Sequence, residues 1–414
     1  MKAFQEIVYS NRKNHENIHE KIIANHQQIE GWFRNQWLKY PAPFYSSIDI
    51  RNSGFKISPI DTNLFPAGFN NLNNDFESLY VTAVKHSLDT LKTKIDKILI
   101  IPEDHTRNEY YLDSLGYLSS LIEKAGYEVK VSKPSIIDND KFKNINSLLE
   151  YDGFVPDAIL LNNDLSSGIP SFLDNVKQVI LPSKNIGWTK RSKSDHFKYY
   201  SDVCRNFSKL LDIDSWMIDP EFRNCGEINF KIKQGEDCLV YNAEKLFNII
   251  TEKYEKYDVD EKPFIIIKAD SGTYGMGVIS IDSIDQIKNL NRKQRGKMLS
   301  TKGNISLNKV ILQEGVYSFE ETKDSCDVAE PVIYSFSNFL IGGFYRTHEN
   351  KANNENLNSP GMIFQPIPLN DICISPDLNL EIDSQINKYY VYGCLLYTSP
   401  SPRDATLYRM QSSA

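Results

Sequence analysis

The sequence predicts a mixed α/β and α+β architecture, with an open parallel-sheet domain followed by a domain built on an antiparallel sheet. Between Lys97 and Pro182, short apolar runs alternate with a helical stretch, the pattern of parallel strands joined by crossovers. Between Phe264 and His348, five strand-like runs crowd around one charged helical segment, a density that suits antiparallel pairing. The length of 414 residues fits two to three domains, and an apolar fraction of 41% is enough for more than one core. A net charge of -7 argues against general affinity for nucleic acid or anionic membrane, which needs a basic surface, so the expected partner is a small molecule.

Glu6 to Leu38 carries Ile18, Ile22, Ile29, Trp32 and Phe33 at helical spacing among Asn, Lys and His, which predicts one or two amphipathic helices. The stretch "IDIRNSGFKISPIDTNLFPAGFNNL" is rich in Asn, Gly and Pro and is expected to be loop-like, making 1–95 a helical and loop-rich segment. "KILII" from Lys97 reads as a strand, "PEDHTRN" as a turn, and Tyr110 to Lys124 as a helix closed by Gly126. "YEVKV", "DAILL" and "QVILP" then resume the strands. These form a parallel α/β subdomain over 96–190, and in such sheets ligands gather beyond the carboxyl ends of the strands. Ser192 to Leu211 is helical and opens a linker over 191–260. The runs "FIIIK", "GVISI", "NKVILQEGV", "EPVIYSF" and "LIGGFYRTH" fall in the last unit, 261–393.

No apolar run approaches the length that spans a bilayer, and the N-terminus lacks the apolar core of a signal peptide, so the cytoplasm is expected. Six cysteines occur without a C-x-x-C pair, which indicates neither a zinc site nor a disulfide framework; they read as reduced and mostly structural. Residues 394–414, "CLLYTSPSPRDATLYRMQSSA", break with the preceding chemistry. They resemble a translated sequencing adapter and are expected to be non-native, the alternative being a disordered Ser/Pro tail.

The stretch "FIIIKADSGTYGMGVISI" ends a buried apolar run with a cation, Lys268, which needs an anion as partner. Gly272, Gly275 and Gly277 follow, permitting a backbone that approaches a polyphosphate without side-chain clash; the competing reading is a hairpin turn with a snorkelling lysine. Further on, "VILQEGV" ends a strand at Gln313, Glu314, Gly315 and Val316, where freed backbone groups can meet an adenine edge. "EPVIYSF", "IGGFYR" and "ENLNSPG" then supply Glu330, Arg346, Glu355, Asn356 and Asn358, side chains suited to Mg²⁺ and phosphate. In that order, the series resembles the ATP-grasp superfamily. With "IDIRNSGFKISPIDTNLFPAGFNNL", "PEDHTRN" and "GWTKRSKSDHF" added, the chain from about Gln36 to Gly393 resembles the bacterial glutamate-cysteine ligases of the iron-oxidiser type.

The resemblance implies ATP and Mg²⁺ as cofactors and glutamate and cysteine as substrates, on an ATP-grasp-like antiparallel domain. Lys268 would hold phosphate, Ser271, Gly272, Thr273, Tyr274, Gly275 and Gly277 would form the lid, and Gln313 to Val316 would bind adenine. Arg346 would brace the transferring phosphoryl group. Glu330, Glu355, Asn356 and Asn358 are the candidate metal ligands, an imperfect match to the superfamily's usual Glu-x-Asn. For the amino acid, Arg51 and Lys56 would clamp carboxylates, Asp61 would take the ammonium, and Asn63 and Asn70 would orient it. Asp61-Thr62-Asn63 is also a good turn or cap sequence, and Arg51 also suits an internal ion pair. His105 at a strand end and Cys326 read as structural or incidental; among Lys190, Arg191 and Lys193 the resemblance offers a second phosphate-binding lysine, but a solvated basic face is the favoured reading. Competing readings are a ligase of another amino-acid pair, since the N-terminal loop alone sets specificity, and a nucleotide-binding protein without catalysis.

Overall fold

The computed structural model describes residues 5–9, 16–103, 108–132, 141–272, 277–299, 309–367 and 375–399. Strand β1 (Ile7–Tyr9) precedes helices α1 (Glu16–Ala24) and α2 (His26–Lys39), strands β2 (Tyr45–Asn52) and β3 (Ile57–Asn63), and helix α3 (Glu77–Asp89). Next come β4 (Lys97–Pro102), α4 (Glu109–Lys124), β5 (Glu128–Val131), β6 (Phe142–Ile145), β7 (Leu148–Tyr151), β8 (Ala158–Asn162) and β9 (Val179–Leu181). Helix α5 (Lys193–Leu211), β10 (Phe222–Gly226) and α6 (Glu236–Lys256) lead to β11 (Ile265–Ala269), β12 (Val278–Ile281), α7 (Ile284–Lys288), α8 (Arg292–Leu299) and β13 (Lys309–Glu314). The last elements are β14 (Glu320–Thr322), β15 (Val328–Phe336), β16 (Phe339–His348), β17 (Ile363–Pro366) and α9 (Gln385–Thr398).

The expected division into α/β and α+β architecture is present. A four-stranded parallel sheet runs in the order β5-β4-β8-β9. Strand β4 is apolar on both faces: Ile98 and Ile100 pack with Leu118, Leu121 and Ile122 of α4, while Leu99 and Ile101 join Ile159 and Leu161 on the opposite face. That double burial explains an uninterrupted apolar run rather than alternation. Gly126, at φ +100°, lets the chain leave α4 in the left-handed region.

Strands β6 and β7 pair with each other as a two-stranded antiparallel ribbon, and two larger antiparallel sheets hold the remaining strands. The smaller runs β10-β13-β11-β12, and the larger is centred on β15, which pairs with β16 on one edge and with β14 and β2 on the other. In β11, Ile265 and Ile267 pack with Leu239, Ala243, Leu246 and Ile250 of α6, so Ile266 and Lys268 face the opposite way, towards the larger sheet.

Two local expectations are corrected. The stretch expected to be loop-like contains the β2–β3 hairpin, with Gly54 at φ +79° in its turn and Ser53 N donating to Lys56 O at 2.9 Å. Its polar residues are buried in pairs instead of being solvated: Ser46 and Ser335 share a hydroxyl bond of 2.9 Å, and Asn52 Nδ2 reaches the Tyr9 and Tyr392 hydroxyls at 2.8 and 3.1 Å. Polarity therefore marked a hydrogen-bonded interior. Within 191–260 the chain also forms β10, an edge strand whose polar side chains need no apolar alternation. Helix α9 runs through Gly393 and Cys394 without interruption and buries Tyr389, Tyr392, Leu395 and Leu396; residues 400–414 lie outside the described residues. Among the described residues, no helix is long and apolar enough to cross a membrane.

Candidate active site

A cleft of about 550 Å³ opens between the two antiparallel sheets, and the carboxyl ends of β4 and β8 contribute Glu103 and Asp164 to its rim. The chain segment that joins β3 to α3 lines it too, held in place from the parallel domain. Ser114 Oγ of α4 accepts from Gly68 N at 2.7 Å and Phe69 N at 3.2 Å, and Asn162 Nδ2 donates to Pro66 O at 2.9 Å.

The wall on the larger sheet is a set of charges in register. Glu330 lies opposite Arg346 across β15 and β16, and Val332 lies opposite Asp49 across β15 and β2, which puts the three charged residues on one face. Arg346 Nη1 bonds Asp49 Oδ2 at 3.1 Å and also reaches Glu330 Oε1, while Glu330 Oε2 accepts from Arg51 Nε at 3.1 Å. Arg51 Nη1 donates to the carbonyls of Val316 and Asn353, each at 3.2 Å, and Nη2 to that of Glu355. Of the five N–H groups of a guanidinium, four are thus taken by the protein. Arg346 keeps its buried Nε without a partner among the described residues. Burial raises the Asp49 carboxyl above its usual range; Arg346 opposes that rise, and Glu330 and Asp61 reinforce it.

The wall on the smaller sheet has one cation of a different kind. Lys268 Nζ donates to Ile60 O at 2.7 Å and lies 5.4 Å from the centre of the Phe197 ring; no carboxylate is within ion-pair reach of it among the described residues. Burial pushes this ammonium down to about 7, with Asp61 opposing and Lys193 adding to the shift. Asp61 itself accepts from Lys193 Nζ at 2.6 Å; burial raises its carboxyl, but Lys193, Lys268 and Arg191 together hold it below the usual range. Lys193 belongs to the first turn of α5, fastened to the end of β11 by Ser194 N and Oγ, each 2.8 Å from an Asp270 carboxylate oxygen.

Beside Lys268, the strand end Gln313–Val316 closes the wall. Glu314 turns its carboxylate onto a buried cluster: Lys56 Nζ at 2.8 Å, Trp216 Nε1 at 3.0 Å and Glu221 N at 2.9 Å. Gly315 packs so tightly on Phe264 that a Cβ would come within 2.1 Å of the ring. The Val316 N–H and the buried Gln313 Nε2 have no partners among the described residues, which leaves two donors at the cleft.

Most of the residues singled out from the sequence meet here: Arg51, Asp61, Asn63 and Asn70 from the N-terminal stretch, with Lys268, Gln313, Glu314, Val316, Glu330, Arg346, Asn356 and Asn358. Lys56 does not line the cleft. It is buried under the hinge formed by Gln313–Val316, 4.4 Å from the centre of the Trp216 ring and paired to Glu314, so it has no carboxylate of a ligand to clamp. Ser271 is exposed at the end of β11, and Gly272 and Gly277 adopt φ +97° and +66°; Thr273, Tyr274 and Gly275 lie outside the described residues, as does His105.

The four side chains expected to bind Mg²⁺ are not brought together as a shell. Glu330 is held by two guanidinium groups, Glu355 turns to Lys351 Nζ at 3.1 Å and Ala352 N at 2.9 Å, and Asn356 Oδ1 accepts from Asn358 N at 2.9 Å. Among the described residues, no group of three or more His, Cys, Asp or Glu has the arrangement of a metal site.

Sequence reasoning missed Asp49, Glu103 and Asp164. Asp49 and Arg51 are two apart in "SIDIRN", the spacing of one strand face, and Glu103 and Asp164 follow the apolar runs of β4 and β8, where ligands of parallel sheets gather. The expected solvated basic face is corrected: Lys190 is exposed, but Arg191 and Lys193 are each only 6% exposed. Arg191 Nη2 meets His196 Nδ1 at 2.7 Å, and Lys193 is engaged by Asp61.

Residues 19–397 match the family model of glutamate-cysteine ligase. A crystal structure from Methylobacillus flagellatus KT, assigned as a gamma-glutamylcysteine synthetase, is 40% identical, covers 100% of both chains and superposes with a TM-score of 0.87. A glutathione synthetase-like effector from Globodera pallida in apoform is 8% identical over 84% of each chain, with a TM-score of 0.41. A D-alanyl-alanine synthetase A from Vibrio cholerae is 11% identical, with 74% of this chain and 82% of that one covered and a TM-score of 0.38. No curated protein sequence matches the chain.

Proposed function

The chain belongs to the glutamate-cysteine ligase family and is a ligase, and from that premise we propose that it joins the γ-carboxylate of L-glutamate to the amine of L-cysteine with cleavage of ATP, the first step towards glutathione. The observation that carries this reading is the cleft itself: among the described residues it confronts a buried lysine without an anion, and a strand end with unpartnered donors, with a wall of paired charges in which the buried Nε–H of Arg346 has no partner.

Adenine would lie along Gln313–Val316, its edge meeting the Val316 N–H, in keeping with the ATP-grasp resemblance. Lys268 would face the phosphates, and a bound polyanion would restore the charge that burial suppresses. The substrate glutamate is zwitterionic at its α-carbon. Asp49 and Arg346 offer adjacent charges of opposite sign, with Asp61, Asn63 and Asn70 beside them. An oxygen of the γ-carboxylate would attack the terminal phosphorus, releasing ADP and leaving an acyl phosphate. The cysteine amine, having given up a proton, would then attack the carbonyl carbon, expelling phosphate and forming the amide. Arg346 would steady charge on the transferring group through its free N–H, and the closed walls would keep water from the acyl phosphate. Mg²⁺ is the expected companion of the triphosphate, but the side chains named for it do not converge, and no step here runs through a metal. A cytoplasmic setting, where ATP and reduced thiols are present, suits this chemistry.

The test is an assay of ADP, phosphate and γ-glutamylcysteine with heavy oxygen placed in the γ-carboxylate. Product is expected only when glutamate, cysteine and ATP are all present, with one heavy oxygen passing to phosphate. ADP release indifferent to cysteine, or phosphate without the label, rejects the reading.

A further inference from the structure

Next to the smaller sheet, at the junction of β10 and the first turn of α6, two sulfurs lie together. Cys225 of β10 and Cys238 of α6 hold their Sγ atoms 3.0 Å apart. Asn242, one turn along α6, points its Nδ2 at both, 3.2 Å from the first sulfur and 3.4 Å from the second, while also donating to Cys238 O at 3.0 Å. Cys225 is buried in the core behind the sheet, whereas Cys238 is exposed. A disulfide requires sulfurs about 2.05 Å apart, so closure asks for a side-chain movement of about 1 Å. Both thiols are free.

We propose that Cys225 and Cys238 form a reversible dithiol–disulfide centre that exchanges with low-molecular-weight disulfides. The exposed Cys238 thiolate attacks one sulfur of the incoming disulfide, giving a mixed disulfide and releasing one small thiolate. Cys225 then displaces the second small thiolate, which takes up the Cys225 proton. Two protein thiols are oxidised, the small disulfide is reduced to two thiols, and no further oxidant is needed. The order follows from access: Cys225 is buried, and its thiol is pushed up to about 12 by burial and by the neighbouring sulfur. Closure fastens β10 to α6. In register, Cys225 lies opposite Val310 and Phe222 opposite Gln313, so the strand being fastened is the one that supports the hinge strand β13. The chemistry of this centre is independent of the reaction in the cleft.

The test is a tryptic map, without reduction, of the folded full-length protein after exposure to bis(2-hydroxyethyl) disulfide and alkylation of remaining thiols. Peptides 224–231 and 234–245 are expected as a linked pair that dithiothreitol separates. In Cys225→Ser, Cys238 is expected to stop at the mixed disulfide; in Cys238→Ser, Cys225 is expected to stay unmodified. The oxidised wild-type protein is also expected to melt at a higher temperature than the reduced one, a difference that Cys238→Ser abolishes. Overturning results are a wild-type protein that halts at the mixed disulfide on Cys238, leaves both thiols unreacted, or links Cys225 to a different cysteine.

Discussion

On the larger-sheet wall of the cleft, Asp49, Arg51, Glu330 and Arg346 hold one another through ion pairs whose partners sit on three adjacent strands. On the smaller-sheet wall, Lys268 is equally withdrawn from water but meets a carbonyl, with no carboxylate in reach among the described residues. A buried charge that is paired in the protein shapes the site; a buried charge that is not paired is available to a ligand. The first wall is expected to fail by unfolding when altered, the second by losing a ligand.

The largest effect is expected from Glu330→Ala, which strands Arg51 and Arg346 opposite an empty space. Removing one partner of a buried pair costs about 3–5 kcal/mol, read as a lowered midpoint in urea unfolding. A variant of wild-type stability would show that the larger wall is not held by its own pairs. Next is Lys56→Met, expected to cost about 3 kcal/mol because Glu314 loses its countercharge, with part of the loss recovered by adding Glu314→Gln. Nucleotide affinity should fall together with stability. Unchanged stability with a raised KM for glutamate would return Lys56 to the role of substrate clamp.

A smaller effect is protonic. Between about 7 and the ordinary lysine value of 10.5, the unfolded chain carries a proton on Lys268 that the folded chain lacks, so its contribution makes stability rise with pH across that window. Lys268→Met is expected to flatten that rise. Near pH 7, ATP binding to the wild-type protein is expected to take up a fraction of a proton, visible as a buffer-dependent heat in calorimetry, and the variant is expected to lose it.

The two walls also differed in how far the sequence disclosed them. The smaller wall follows from local pattern: three β-branched residues, a terminal cation and glycines announce β11 and its ligand-facing lysine. The parallel sheet was legible for the same reason, since β4 and β8 are buried on both faces and read as apolar runs. On the larger wall Arg51, Glu330 and Arg346 were named from the sequence, but the hairpin and the pairing were not legible, because the hairpin is polar and becomes strand only through partners far along the chain. Asp49 finds Arg346, Arg51 finds Glu330, and Asn52 finds Tyr392, none of which spacing within the hairpin can signal. Lys56 and Lys193 were misplaced for a related reason: a lysine's sequence neighbours do not tell whether a remote carboxylate, Glu314 or Asp61, has already claimed it.

The most direct measurement of whether Lys268 receives the nucleotide is calorimetric ATP binding to Lys268→Met alongside its unfolding midpoint. Affinity is expected to fall by the roughly 1.5–3 kcal/mol of a lost charged hydrogen bond, with folding stability retained or increased because a buried ammonium has been removed. Wild-type ATP affinity in this variant would contradict the assignment.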